Sequence, residues 1–161
     1  MNPIAMPVVM DGTVYCMTGY RGNAITAIRL DAKGDVTGGP QLVWKRTDAA
    51  PYVASPILYD GLLFLTKERN GILSCLDAKT GEPRYAEQRL PGIDTIYASI
   101  VGAAGRVYVT GRSGRTVVLE RGPAFKVLAQ NDLGEGVDAS PVILGKTMYL
   151  RAAKNLYCIA E

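Results

Sequence analysis

The sequence contains no histidine. Within this chain, that excludes a histidine general base, a Ser-His-Asp constellation and a histidine-containing zinc site. Cysteine is scarce: Cys16, Cys75 and Cys158 make an odd number, and their spacings fit no metal motif. Each lies in an apolar segment, so each is expected to be a small buried hydrophobe, with a reactive thiol or an intermolecular disulfide as alternatives. No apolar run reaches the ~18 residues that span a bilayer. The opening residues, MNPIAMPVVMDG, have neither the basic start nor the hydrophobic stretch of a signal peptide. An excess of one charge is missing too. The net charge is +3 and like charges never run beyond three residues, which argues against nucleic acid or an anionic membrane as partner. No segment of ten residues keeps a 3.6-residue apolar period free of glycine, proline and β-branched runs, so no helix is expected.

Glycine and proline, by contrast, are plentiful: 18 and 9 among 161 residues, 48% of which are apolar. That balance suits many short strands joined by tight turns. The stretch SPILYDGLLFLTKERNGILSCLDAKTG, residues 55–81, shows the pattern, and the chain repeats it. Pro7-Val8-Val9-Met10-Asp11-Gly12 matches Pro56-Ile57-Leu58-Tyr59-Asp60-Gly61, and segments from Ser99 and Ser140 match again. Aligned on Gly12, Gly61, Gly105 and Gly145, the units are 49, 44 and 40 residues apart. That is the length of a propeller blade.

Each unit reads as four strands. The first strands are expected at 7–10, 55–59, 99–102 and 140–144, and the second at 13–18, 62–66, 106–110 and 147–151. The third are expected at 24–30, 72–76, 116–120 and 155–160, and the fourth at 42–45, 85–89 and 126–130. Asp11-Gly12 and Asp60-Gly61 favour type I′ hairpins between the first two strands. The second strands are apolar on both sides, as strands covered on both faces must be. The expectation is an all-β chain of four antiparallel blades forming one domain over 1–161. The blades fall at about 7–54, 55–98, 99–139 and 140–161 plus 1–6. The last unit lacks a fourth strand, and an open edge invites pairing. Residues 1–6 are long enough to supply it. Closure in trans, by two chains exchanging N-termini into an eight-bladed ring, is the favoured expectation. The alternatives are a four-bladed ring closed in cis and a chain that is half of a longer propeller.

The segment Leu76-Asp77-Ala78-Lys79-Thr80-Gly81-Glu82-Pro83-Arg84-Tyr85 resembles the blade signature of the pyrroloquinoline-quinone-like (PQQ-like) repeat family. Asp77, Thr80 and Gly81 fit that signature, and Tyr85 stands where tryptophan is usual. Leu30-Asp31-Ala32-Lys33 with Trp44 keeps the pattern around a longer loop, and Leu119-Glu120-Arg121-Gly122-Pro123 is degenerate. Ala54-Ser55-Pro56 and Ala139-Ser140-Pro141 also look like this family. The resemblance implies a propeller similar to the C-terminal half of bacterial eight-bladed proteins, mostly extracytoplasmic and about twice this length. It implies structural roles for the motif: Asp77 and Thr80 bonding the turn backbone, Gly81 supplying a positive φ, and the aromatic packing between blades.

A quinone-dependent dehydrogenase of this family would need a calcium-bound cofactor held by acidic and amide side chains, and in many members a pair of adjacent cysteines. The chain has no such pair and no acidic cluster. No cofactor, no metal and no catalytic residue are therefore expected, and an enzyme half completed only in an assembled ring is the alternative. Ser55, Ser99 and Ser140 recur at equivalent positions, which suits backbone capping better than a single nucleophile. In a propeller, the hairpins between second and third strands share a face with the connections between blades. Arg21, Tyr52, Arg69, Tyr97, Arg112, Arg115, Asp138 and Lys154 are expected to meet there as a binding face for a peptide, a protein loop or a polyanionic glycan. The functional expectation is a non-enzymatic scaffold that self-associates.

Overall fold

The computed structural model describes residues 3–19, 22–48, 50–67 and 69–160. The named elements are all strands. The first blade holds β1 (Val8–Met10), β2 (Thr13–Thr18), β3 (Ala24–Arg29) and β4 (Leu42–Arg46). The second holds β5 (Ile57–Tyr59), β6 (Leu62–Lys67), β7 (Ile72–Asp77) and β8 (Pro83–Arg89). The third holds β9 (Val101–Ala103), β10 (Arg106–Thr110), β11 (Arg115–Glu120) and β12 (Val127–Asp132), and the fourth β13 (Val142–Leu144), β14 (Thr147–Arg151) and β15 (Leu156–Ala160). Each blade is an antiparallel meander in sequence order. The short first strands line the inside, where β1 touches β5, β5 touches β9 and β9 touches β13. β13 does not touch β1, so the inner strands form an open arc.

Strand alternation builds the seams between blades. In β6, Leu63 and Leu65 point to the first blade and pack with Tyr15, Met17, Ile25 and Ala27. Phe64, between them, points to the third blade and packs with Leu73, Cys75, Val107, Val109, Val117 and Leu119. A strand covered on both faces must be apolar on both, and Leu62, Leu63, Phe64 and Leu65 of β6 are. The third seam is thinner: its buried cluster is Val137, Leu150 and Ala152.

The signature turn works as its chemistry requires. Lys79 and Thr80 backbone N–H groups donate to Asp77 Oδ1 at 2.9 and 3.0 Å, and Glu82 N–H donates to Thr80 Oγ1 at 3.2 Å. Gly81 has φ 74° and leaves room for the Trp44 ring of the preceding blade. Trp44 Nε1–H donates to the Ala78 carbonyl at 2.9 Å, so the aromatic pins one blade to the next. At the second seam Tyr85 meets Phe125 edge-on, with centroids 5.6 Å apart.

Two expectations need correction. The fourth blade was aligned through Gly145, but Gly145 fills the first of its two turn positions, with φ 59°, and Lys146 the second. A II′ turn gives glycine that first position, whereas the Asp-Gly turns carry positive φ at both. The second correction concerns residues 1–6. Met1 and Asn2 lie outside the described residues, and residues 3–6 form no strand and pair with no sheet; the fourth sheet has three strands. The reason is register. Ala5-Met6-Pro7 takes the place of Ala54-Ser55-Pro56, with Ala5 and Ala54 both buried. These residues are thus the end of a blade-to-blade connection. Closure in cis by this segment is not what the structure shows.

Candidate functional site

The face carrying the hairpins between second and third strands is held by backbone contacts between neighbouring blades. Asn70 N–H donates to Asp94 O at 2.7 Å and Arg112 N–H to Thr95 O at 2.8 Å. Val137 N–H donates to Arg112 O at 3.1 Å and Ala153 N–H to Gly136 O at 2.9 Å. Gly114, at φ 94°, lies so close under the next connection that a Cβ would come within 2.0 Å of the Glu135 carbonyl oxygen. A face stitched this way presents its side chains from a fixed backbone.

On that frame the third and fourth blades gather a polar cluster. Arg112 donates to both carboxylate oxygens of Asp138, Nε at 2.6 Å and Nη2 at 3.1 Å. Its guanidinium carbon sits 4.3 Å from the centre of the Tyr97 ring. This is a bidentate ion pair stacked on an aromatic, a geometry that arginine supplies and lysine does not. Arg115 pairs with Asp132 at 3.2 Å and passes over Gly92. Glu135 accepts from Asn155 Nδ2 at 2.9 Å, Asn155 N–H at 3.2 Å, Tyr157 OH at 2.8 Å and the Lys154 backbone N–H. The Asn155 amide, followed by the Tyr157 hydroxyl, holds the Glu135 carboxyl below its usual range. The Gly134 backbone N–H and Arg115 do the same for Asp132. Both carboxylates are ionised near neutral pH, so these two offer charge and hydrogen-bond acceptors.

The expected face residues are distributed as follows. Arg112, Tyr97 and Asp138 form one unit, with Arg115 and Lys154 in neighbouring pairs. Arg69 is exposed on the second blade and bridges through its backbone to Thr95, two residues from Tyr97. Tyr52 is half-buried on the first connection. Arg21 lies outside the described residues. Asp132 and Tyr157, whose partners matter as much, sit inside strands, and only register places them at this rim. The recurrent serines cap backbone: Met6, Ser55 and Ser99 N–H groups donate to the hydroxyls of Ser55, Ser99 and Ser140 at 2.9, 3.0 and 2.9 Å.

Burial also corrects the reading of the cysteines. Cys75 is buried, which pushes its thiol up to about 12, but Cys16 is half-buried and Cys158 exposed. The last two lie on the outward faces of the end blades, where no neighbour covers them. Among the described residues, no group of three or more His, Cys, Asp and Glu side chains is arranged to hold a metal. No helix among them is long and apolar enough to cross a membrane.

The comparisons agree with this architecture. The family model described as outer membrane protein assembly factor BamB, a PQQ-like repeat model, matches residues 1–87. No curated protein matches the chain by sequence. The crystal structure of BamB from Moraxella catarrhalis superposes with TM-score 0.69 and 18% identity, over 99% of this chain and 48% of that one. The computationally designed Ika4 protein superposes with TM-score 0.72 and 12% identity, over 99% of this chain and 91% of that one. A europium-containing methanol dehydrogenase superposes with TM-score 0.58 and 20% identity, over 77% of this chain and 23% of that one. At these identities the superpositions speak to fold alone. This chain spans about half the length of the Moraxella BamB and nearly the whole of Ika4. With the family model covering more than half of the sequence, and with the Asp77–Thr80–Gly81 turn in place, the chain belongs to the PQQ-like repeat β-propeller family.

Proposed function

We propose that the chain is a non-enzymatic binding scaffold. It works as half of a ring, and the face carrying Tyr97, Arg112 and Asp138 takes an extended peptide or loop of a protein partner. The observation that supports this most is the Arg112–Asp138 pair stacked on Tyr97 between backbone-locked loops. Such a unit is rigid before a partner arrives, so little ordering is required on binding. It offers a ring face, remaining guanidinium N–H groups and a carboxylate edge side by side. Arg69, Arg115 and Lys154 flank it and Tyr52 belongs to the same face; Arg21 extends it by sequence position. The family description, which names outer-membrane protein assembly, supports a protein partner and a bacterial, extracytoplasmic setting.

The test uses arrays of extended peptides containing aromatic residues of both charge contexts. The wild-type chain should be captured by a subset. Arg112→Glu and Tyr97→Ala should each lower capture at least about tenfold, the usual loss for a stacked arginine or tyrosine at an interface. Melting temperature should be unchanged. Capture that is indifferent to both substitutions would remove this face from the reading. A rise in melting temperature with pyrroloquinoline quinone and calcium would overturn its non-enzymatic part.

A further inference from the structure

The second and third blades each place an arginine at the same point of the hairpin between their second and third strands, and only one of the two has a carboxylate on it. Gly71 and Gly114 fix the equivalence. A Cβ on Gly71 would come within 1.9 Å of the Ile93 carbonyl oxygen, and one on Gly114 within 2.0 Å of that of Glu135. Arg69 stands two residues before Gly71, and Arg112 two before Gly114. Tyr97 and Asp138 are equivalent in the same sense. Each stands two residues before a serine, Ser99 or Ser140, whose hydroxyl accepts the backbone N–H of the serine one blade back. Arg112 finds a carboxylate at this position and pairs with both oxygens of Asp138. Arg69 finds Tyr97 there, an uncharged ring already stacked on Arg112.

The backbone brings Arg69 to that ring. Arg69 bridges to Thr95 in antiparallel register, so Tyr97, two residues on, is its diagonal neighbour at about 7–8 Å, within reach of a long side chain. The carboxylates of the flanking strands and connection are taken. Glu87 pairs with Lys67 at 3.5 Å, Asp94 with Arg89 at 3.2 Å and Asp132 with Arg115 at 3.2 Å. Among the described residues, no carboxylate pairs with Arg69. Both arginines belong to blades with a neighbour on either side, so the difference is one of side chains, Tyr97 against Asp138.

We infer that a partner's carboxylate does for Arg69 what Asp138 does for Arg112. The segment taken by this face is acidic, and an Asp or Glu of it seats on the Arg69 guanidinium beside the Tyr97 ring, which is 39% exposed. This rests on the binding-face reading above and names the chemistry of what binds. The planar fork of arginine meets a carboxylate with two parallel N–H donors and can lie along an aromatic ring while doing so. An extended segment sets alternate side chains on one side about 6.5–7 Å apart, close to the separation of Arg69 from Tyr97. The side chain two residues from the acid therefore lies against that ring, and an aromatic or apolar residue fits there.

Fluorescence anisotropy of the whole chain with labelled peptides of about nine residues tests the inference. Each peptide carries a central Phe and, two residues from it on one side or the other, Asp, Asn or Lys. Asp peptides should bind about fivefold more tightly than Asn peptides at low ionic strength, with Lys peptides weakest. Added salt should narrow the spread. Arg69→Glu should turn the order round, and Arg69→Lys should keep it with a smaller spread. Arg69 is exposed, so both variants should melt as the wild type does. A wild type blind to peptide charge overturns the inference, and so does a charge order that survives Arg69→Glu. Arg69-dependent binding of a heparin oligosaccharide without binding of any Asp peptide would also overturn it, by making the face a polyanion surface. Capture that falls in Tyr97→Ala and Arg112→Glu but ignores peptide charge would sink this inference and leave the binding face standing. No capture of any peptide would remove both.

Discussion

The seam between the second and third blades and the seam between the third and fourth use the same strands in the same register, yet only the first is filled. At the second seam Phe64, Leu73, Cys75, Val107, Val109, Val117 and Leu119 form a continuous buried cluster, closed on its outer side by Tyr85 against Phe125. At the third seam a cleft of 520 Å³ runs between the sheets, lined by Tyr108, Val118, Ile143, Met148, Leu150 and Ile159 among others. The difference lies in the outer strand. Ala129 pairs with Val118 where Trp44 pairs with Ala27 and Tyr85 with Cys75. The outer strand of the third blade, β12, therefore has no aromatic to reach across. Inner strands set the arc; the outer aromatic and its turn seal it.

The largest effect should come from the strand faces themselves. Phe64→Ala removes a fully buried ring from the second seam and should cost about 3–5 kcal/mol in denaturant titration. Tyr149→Ala, at the equivalent position on the open face, should cost the single chain under about 0.5 kcal/mol. Equal losses would erase the distinction between covered and open faces. Gly114→Ala comes next. It forces a side chain onto the Glu135 carbonyl at a left-handed φ and should cost more than about 1 kcal/mol, whereas Gly122→Ala, which meets open space, should be near neutral. Trp44→Phe keeps most of the ring and loses the bond to the Ala78 carbonyl, for about 1 kcal/mol. The converse, Ala129→Tyr, gives the third seam the residue it lacks and should stabilise by up to about 1 kcal/mol. An unchanged denaturation midpoint would show that the missing outer aromatic is not what keeps the cleft open.

The smallest effect is one of pH. Asp77 is held below its usual value first by the Thr80 backbone N–H, with Arg84 adding to it at 2.7 Å. A lowered folded value means that its contribution is complete above the unfolded value near 4 and is lost as pH falls through the folded one. Acidification from about pH 5 to pH 2 should therefore weaken the wild type more than Asp77→Asn in parallel melts. Parallel curves would remove the turn from the acid response.

Much of this could be read from the sequence because short-range rules govern it. Asp11-Gly12 and Asp60-Gly61 specify their turns, Asp77, Thr80 and Gly81 theirs, and the alternation in β6 announces two covered faces. The polar face was legible only in outline. Arg112 and Tyr97 could be assigned to one side of the blades. Their stacking with Asp138 depends on how loops 26 residues apart cross, and the roles of Asp132 and Tyr157 depend on strand register. Residues 3–6 form no strand within this chain, although six residues are long enough for one in isolation. Their place beside the next blade follows from the buried Ala5 and from the Met6 N–H bond to the Ser55 hydroxyl.

By itself, then, the sequence determined the module: its strands, its turns and its recurrence, all fixed by neighbours a few residues apart. Tertiary structure alone decided which modules are covered. Cys75 and Cys158 occupy the same place in their blades, yet one is buried and the other faces solvent. Burial is a property of what packs against a residue, and four blades leave the two end faces without a neighbour.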